Sequence, residues 1–169
     1  SSSLRSIGTE AFLGCASLST LSIPEAVTNI SQRAFEGCKS LASVSIPDSV
    51  QSLPYKVFYN CINLEDVIFG SSSSLRGIGD RAFELCRSLK TVLTPAKVTS
   101  IGKEAFSSTT SLDNITIGSS TSISFGDDAF GGSVLTTILF STEVKDVTGL
   151  PEPFNSSYEC FTEQPSGQP

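Results

Sequence analysis

The sequence contains no histidine, methionine or tryptophan. Histidine is the commonest general base and a common metal ligand, so its absence argues against most catalytic and metal-binding functions. Charged residues make up only 17%, and 17 acidic against 11 basic residues give a formal charge of −6. Nucleic-acid binding needs clustered lysine and arginine to displace counterions from phosphates. Composition therefore predicts neither an enzyme nor a nucleic-acid-binding protein, and no cofactor or metal.

Long apolar runs are absent as well. No stretch approaches the roughly 20 apolar residues that span a bilayer, so we expect no membrane insertion by this chain. The chain is nevertheless 38% hydrophobic, which is enough for a packed core. Serine and threonine together number 46 of 169 residues, which predicts a hydroxyl-rich surface. The chain opens on Ser1 without a methionine, and we interpret this as a processed or trimmed N terminus.

One pattern recurs along the chain with a period of about 23 residues. Each unit contains a small residue followed by phenylalanine, and successive phenylalanines lie 23, 23, 25, 23 and 24 residues apart. The predicted core ladder consists of Phe12, Phe35, Phe58, Phe83, Phe106 and Phe130. This period lies in the range of leucine-rich repeats, in which each unit buries its apolar face against the next.

A leucine-rich segment follows each phenylalanine. In the second unit Leu41, Val44 and Ile46 have L-x-x-L-x-L spacing, and the alternation of the last two is typical of a short strand with one face inward. We predict an α/β repeat solenoid of about six coils, each with one short parallel strand and a short helical turn around the Ala-Phe pair. The predicted domains are the solenoid over residues 1–147, with a partial N-terminal coil and six full repeats, and a C-terminal cap and proline-rich tail over 148–169.

The segment from Ile30 to Pro47 reads ISQRAFEGCKSLASVSIP. Its A-F-x-x-C-x-x-L-x-x-V-x-I-P pattern resembles the repeat of the BspA-like leucine-rich repeat family, and the resemblance extends over roughly residues 4–147. The resemblance implies a right-handed superhelix in a secreted or surface-displayed protein of bacteria or protists. Members of this family are mostly adhesins and host- or matrix-binding proteins, so the resemblance implies a class of function and not a particular ligand.

Four of the five cysteines occupy one position of the repeat, three residues after phenylalanine. They are Cys15, Cys38, Cys61 and Cys86. Their spacing matches neither the C-x-x-C pairs of zinc sites nor a compact disulfide framework. We predict a ladder of buried free thiols that pack as small hydrophobic groups. Cys160 is expected to be a free or cap-buried thiol, with an intermolecular disulfide as the alternative.

The outward positions of the strands form the predicted partner-binding surface, because such solenoids present an extended binding face. These residues are Thr20, Ser22, Ser43, Ser45, Asp66, Ile68, Thr91, Leu93, Asn114, Thr116, Thr137 and Leu139. Ile68, Leu93 and Leu139 indicate either a contact patch or the tolerance of strands for aliphatic residues. Two serine-rich loops, Ser71 to Ser74 and Ser119 to Ser122, are each two residues longer than the others and are expected to bulge from one edge.

Three N-glycosylation sequons begin at Asn29, Asn114 and Asn155. They would carry glycans if the source is eukaryotic and secretory, and unused sequons are the alternative. No spacing in the chain resembles a calcium loop, a phosphate loop or a catalytic motif.

These features predict a non-catalytic module that is extracellular or displayed at the cell surface. We expect it to mediate adhesion by binding a protein or glycan partner through its strand face and loops. A second hypothesis is a structural subunit of a glycosylated extracellular filament or surface layer, in which copies associate through coil ends. This hypothesis rests on Leu4, which we expect to end an upstream coil that is mostly missing. The first coil would then lack a cap that protects its strand edges.

Overall fold

The computed structural model describes residues 4–118, 122–141 and 144–150. These residues form thirteen short β-strands and no helix. In chain order the strands are β1 (Ser6–Ile7), β2 (Thr20–Ser22), β3 (Asn29–Ile30), β4 (Ser43–Ile46), β5 (Ser52–Leu53), β6 (Asp66–Phe69), β7 (Gly77–Ile78), β8 (Thr91–Leu93), β9 (Ser100–Ile101), β10 (Asn114–Ile117), β11 (Ser122–Phe125), β12 (Thr137–Phe140) and β13 (Asp146–Thr148). All pairings are parallel and join strands one coil apart. The predicted repeat solenoid of about six coils is confirmed.

The even-numbered strands, of three or four residues each, form the strand face. Their side chains alternate, so that on β4 Val44 and Ile46 are buried while Ser43 and Ser45 are exposed. The same register repeats in each coil, as in the pairing of Val44 with Val67. The face is divided into two three-stranded sheets, β2-β4-β6 and β8-β10-β12. The edges of these two sheets therefore meet at β6 and β8.

The odd-numbered strands form a second ladder, which is divided into β1-β3 and the five-stranded sheet β5-β7-β9-β11-β13. In other coils the residue after the strand donates its N–H to the preceding coil, as Ser31 does to the carbonyl of Ile7 (2.9 Å) and Gly79 to that of Leu53 (2.7 Å). Pro54 occupies this position in the third coil. Because proline has no N–H, the ladder is interrupted between β3 and β5.

The segment around each Ala-Phe pair is not helical, so the predicted helical turn is wrong. A residue with positive φ lies two positions before and two positions after each phenylalanine. The first group is Glu10, Arg33, Lys56, Arg81, Glu104 and Asp128, and the second is Gly14, Gly37, Asn60, Leu85, Ser108 and Gly132. An α-helix needs consecutive negative φ values, so these residues prevent one from forming. The phenylalanine N–H instead donates to the next coil, as from Phe35 to the carbonyl of Val57 (3.0 Å).

The six phenylalanine rings of the predicted ladder form one continuous stack. Their centroids are 5.2 to 5.8 Å apart, with interplanar angles of 7 to 14°. Five of the rings are buried, but Phe12 is 37% exposed. The expectation of a core position is therefore only partly correct for Phe12, because among the described residues a ring packs against it on one side only.

The repeat cysteines also differ in burial between the first coil and the coils that follow it. Cys38, Cys61 and Cys86 are free and buried, whereas Cys15 is free but exposed, so the prediction of a buried thiol is wrong for Cys15. Each buried thiol lies against the main chain of the preceding coil. Its Sγ donates to the carbonyl oxygen of that coil's phenylalanine, at 3.3 Å for Cys38 and 3.2 Å for the other two. The thiols therefore pack in the core and also hydrogen-bond between coils.

Burial should make these three thiols far less reactive than Cys15. It raises the pKa of Cys38 to about 11 and that of Cys61 to about 12, and it raises the pKa of Cys86 well above its usual range. Alkylation needs the thiolate, so we expect iodoacetamide at about pH 8 to label Cys15 at least about a hundredfold faster than the other three. Mass spectrometry of tryptic peptides measures each site separately. Equal labelling of all four thiols in the folded protein would contradict this assignment.

Candidate functional site

The outward residues of the strand face differ between the two halves of the solenoid. In the first four coils they are exposed: Thr20, Ser22, Ser43, Ser45, Asp66, Ile68, Thr91 and Leu93. In the last two coils they are half-buried: Asn114, Thr116, Thr137 and Leu139. The surface that is open to a large partner is therefore concentrated in the first four coils.

Two aliphatic side chains are prominent on this open part. Ile68 is 56% exposed and Leu93 is 66% exposed. Ile68 pairs in register with Ser45 on β4, and Leu93 pairs with Thr116 on β10. The two residues thus occupy equivalent positions on β6 and β8, the strands at which the two sheets meet. We call Ile68 and Leu93 the β6/β8 patch, and Leu139, half-buried and two strands beyond β8, does not belong to it.

A cleft of about 390 Å³ adjoins this patch at Leu93. It is lined by Ser71–Ser73 of the third coil, by Pro95–Lys97 of the fourth and by Gly118 of the fifth. The third coil carries one of the longer serine-rich loops and the fourth does not, so the cleft lies where a short loop adjoins a long one. Residues 119–121 of the second long loop lie outside the described residues.

The chemistry of the cleft is mixed. Leu93, Pro95 and Ala96 give it apolar lining beside serine and threonine hydroxyls, and the exposed Lys97 contributes one cation. The Ser141 hydroxyl at one side is buried and has no hydrogen-bond partner among the described residues. Apolar lining with a few placed polar groups is typical of binding pockets of this size. Sequence reasoning had singled out Leu93 and the loops but missed Pro95, Ala96 and Lys97, which the alternation of loop lengths could have indicated.

The sequons are placed as follows. Asn29 is exposed on β3, where its Nδ2 donates to the Ser31 hydroxyl at 3.4 Å. Asn114 is half-buried on β10 of the strand face. Asn155 and Cys160 lie outside the described residues. Glycosylation at these positions and the association of copies through coil ends stay predictions, as does the domain boundary at residue 147.

Two further properties concern metals and membranes. Within the described ranges, no group of three or more cysteine, aspartate or glutamate side chains is arranged to hold a metal ion. The same part of the chain contains no helix suited to crossing a membrane.

Glu65 and Lys90, which flank the junction of the two sheets, form a salt bridge.

This arrangement of stacked coils with two parallel ladders and an apolar core defines a leucine-rich-repeat solenoid. The BspA-type leucine-rich repeat region matches the chain in 6 copies, over residues 1–107 and 40–150. The chain therefore belongs to the BspA-type leucine-rich repeat family. A search of curated protein sequences finds no match.

Solved structures of bacterial leucine-rich repeat proteins share this fold. One from Bacteroides ovatus superposes with a TM-score of 0.71 at 29% identity, covering 85% of this chain and 40% of that protein. One from T. pallidum superposes with a TM-score of 0.72 at 31% identity, covering 88% of this chain and 64% of that protein. A leucine-rich cell surface protein from Faecalibacterium prausnitzii superposes with a TM-score of 0.67 at 31% identity, covering 86% of this chain and 39% of that protein. This chain thus spans between 39% and 64% of the lengths of these proteins.

Proposed function

We propose that this chain is a non-catalytic module of a bacterial cell-surface protein that binds a protein partner through the β6/β8 patch and the adjoining cleft. The description of the Faecalibacterium relative as a cell surface protein supports the location, and repeat solenoids of this kind generally act as binding scaffolds. The observation that carries the proposal is the exposure of Ile68 and Leu93 side by side at the junction of the two sheets.

The energetics favour a partner that covers this patch. Complete burial of an aliphatic side chain contributes about 1.5–3 kcal/mol relative to full exposure. Ile68 and Leu93 are more than half exposed and neighbour one another, so a partner that covers both gains apolar contact without rearranging the solenoid. The hydroxyl-bearing residues on neighbouring strands surround this apolar centre with hydrogen-bonding groups. A central apolar contact with polar surroundings is the usual organisation of a protein–protein interface.

The cleft adds a preference for the partner's side chains. Its apolar lining suits an aliphatic or aromatic side chain, and its only lining charge among the described residues is Lys97. A carboxylate next to the inserted side chain would pair with the Lys97 ammonium. We therefore propose a partner segment in which an apolar residue is adjacent to aspartate or glutamate.

Selection of a random peptide library displayed on phage, with the full chain immobilised, tests this function. We expect enriched peptides to combine an apolar residue with a neighbouring acid. Leu93→Glu should weaken their binding by about tenfold or more, because it removes apolar contact and places a negative charge near the acid of the peptide. The substitution should leave the fold intact, since Leu93 is 66% exposed.

The matched control is Thr20→Glu, which adds the same charge to an exposed strand-face position in the first coil. It should leave the affinity of the selected peptides unchanged. Peptides that bind wild-type protein and Leu93→Glu equally well would refute the proposed surface. Failure to enrich any peptide, while a library of glycans binds instead, would refute the proposed class of partner.

A further inference from the structure

The turns around the six stacked phenylalanines, from Phe12 to Phe130, form one face of the solenoid, which we call the turn face. On this face the third coil breaks the charge pattern of the coils on either side. In the second coil Arg33 pairs with Glu36, with 2.7 Å between Nε and Oε2. In the fourth coil Arg81 and Glu84 occupy the same positions, with 3.6 Å between Nε and Oε2. In the third coil these positions hold Lys56 and Tyr59. A tyrosine ring therefore stands where the acid of the pair stands in the coils on either side.

Lys56 lies between two aromatic rings as a result. Its Nζ is 4.4 Å from the ring centroid of Tyr59 and 5.4 Å from that of Tyr55, within the range of a cation–π interaction. The Tyr55 side chain is among the large exposed hydrophobic groups, at 41%. Within the described part of the chain, Lys56 forms no salt bridge. Its ammonium donors are therefore available to an acceptor from outside.

The neighbouring arginines are paired on the sides that face away from the third coil. Arg33 also contacts Glu10 of the first coil, and Arg81 contacts Glu104 of the fifth, with 2.7 Å between Nε and Oε2. Tyr55 lies close enough to both arginines to interact with them electrostatically. Three cations in consecutive coils thus lie near one exposed aromatic ring. The central cation, Lys56, forms no salt bridge among the described residues, although it lies close enough to Glu84 to lower the pKa of that carboxyl.

We propose that Tyr55, Lys56 and Tyr59 form a second binding site, for a saccharide unit that carries a single carboxylate, as uronic acids do. The flat faces of Tyr55 and Tyr59 offer apolar area to the C–H faces of a sugar ring. The Lys56 ammonium offers charge-assisted hydrogen bonds to the sugar carboxylate. This site lies on the turn face and does not depend on the β6/β8 patch.

The surrounding carboxylates select against densely charged ligands. Glu36 and Glu84 are half-buried beside the site, and burial raises the pKa of Glu84 while Arg81 and Lys56 oppose the shift. Arg33 and Arg81 are already in salt bridges, so Lys56 can compensate one ligand carboxylate, and a second one would meet the repulsion of Glu36 and Glu84. A polymer in which uronic acid alternates with a neutral sugar presents its carboxylates singly, whereas an acidic peptide presents them on adjacent residues. The alternating saccharide therefore fits the charges better.

Tyrosine fluorescence of the full chain provides a direct measurement, because the protein has three tyrosines and no tryptophan, and two of the three lie at this site. A Tyr158→Phe background removes the contribution of the remaining tyrosine. Titration with a hyaluronan tetrasaccharide, in which glucuronic acid alternates with N-acetylglucosamine, should change the fluorescence with a Kd of roughly 1 mM or below. Neutral chitotetraose should bind at least about tenfold more weakly, because it lacks the carboxylate.

Lys56→Gln keeps the length of the side chain, removes its charge and should weaken hyaluronan binding by about tenfold or more. Lys39→Gln removes an exposed charge from the neighbouring coil and should leave the affinity unchanged. Circular dichroism verifies the fold of each variant. Equal responses to the charged and neutral tetrasaccharides, no response up to about 10 mM, or unchanged binding by Lys56→Gln would overturn the proposal. So would tighter binding of a polyglutamate peptide than of the tetrasaccharide.

Discussion

Replacing Phe58 with alanine is expected to lower the free energy of unfolding by about 3–5 kcal/mol. Phe58 is fully buried, and its ring stacks between Phe35 and Phe83 with centroid distances of 5.4 and 5.5 Å. Alanine would remove apolar contact from both neighbouring coils and leave a cavity that the rigid spacing of the coils cannot close. Chemical denaturation followed by circular dichroism measures the loss.

Phe12→Ala is the matched control for this prediction. Phe12 belongs to the same stack, but it is 37% exposed and contacts only the ring of Phe35 within it. We expect its replacement to cost less than half as much as that of Phe58, because less apolar area is lost and no enclosed cavity forms. Equal losses at the two positions would show that the stack does not stabilise the solenoid in proportion to ring burial.

Gly102→Ala is expected to destabilise the protein by about 1–3 kcal/mol although it adds a single methyl group. A Cβ at Gly102 would lie 2.6 Å from the N of Asp80 and 2.8 Å from the carbonyl carbon of Gly79. Both atoms belong to the main chain of the preceding coil, so the two coils would have to separate to accept the methyl group. Such a separation would strain the hydrogen bond that Gly102 N–H donates to the Ile78 carbonyl at 2.8 Å.

Gly8→Ala tests the same substitution where the repeat has no preceding coil among the described residues. Gly8 occupies the position of Gly102 in the first coil, and a Cβ there would meet no described residue within 4 Å. We expect its replacement to be neutral or to stabilise by up to about 1 kcal/mol, because alanine reduces the conformational entropy of the unfolded chain. Denaturant unfolding of both variants provides the comparison, and similar destabilisation by the two would contradict the close approach of the coils at this position.

The repeat was predictable from the sequence because each coil buries the same positions. The 23 to 25 residue spacing of phenylalanines identified the stack, and the alternation in segments such as Ser43–Ile46 identified the strand face. The non-helical conformation of the turns around the phenylalanines could not be predicted from the sequence in the same way. Glycine marks positive φ at Gly14 and Gly37, but Leu85 and Ser108 adopt it in the same position of other coils. Hydrogen bonds between coils, and not local preference, hold these residues in the left-handed region.

The candidate site was only partly predictable. Sequence alternation placed Ile68 and Leu93 outward, and the structure adds that they flank the junction of the two sheets. Alternation alone could not distinguish them from Leu139, whose half-buried state depends on tertiary surroundings. The setting of Lys56 required knowledge of which side chains meet across coils, since Tyr55 and Tyr59 are informative only beside Arg33 and Arg81.

The central functional claim is that a partner binds at the β6/β8 patch and its cleft. Chemical-shift mapping of isotope-labelled protein with a selected peptide locates the contact most directly. We expect the largest shifts on β6, β8, Ser71–Ser73 and Pro95–Lys97, with little change at Thr20 and Ser22. Shifts that are concentrated on the Ala-Phe turns or in the first coil, with none on β6 or β8, would contradict it.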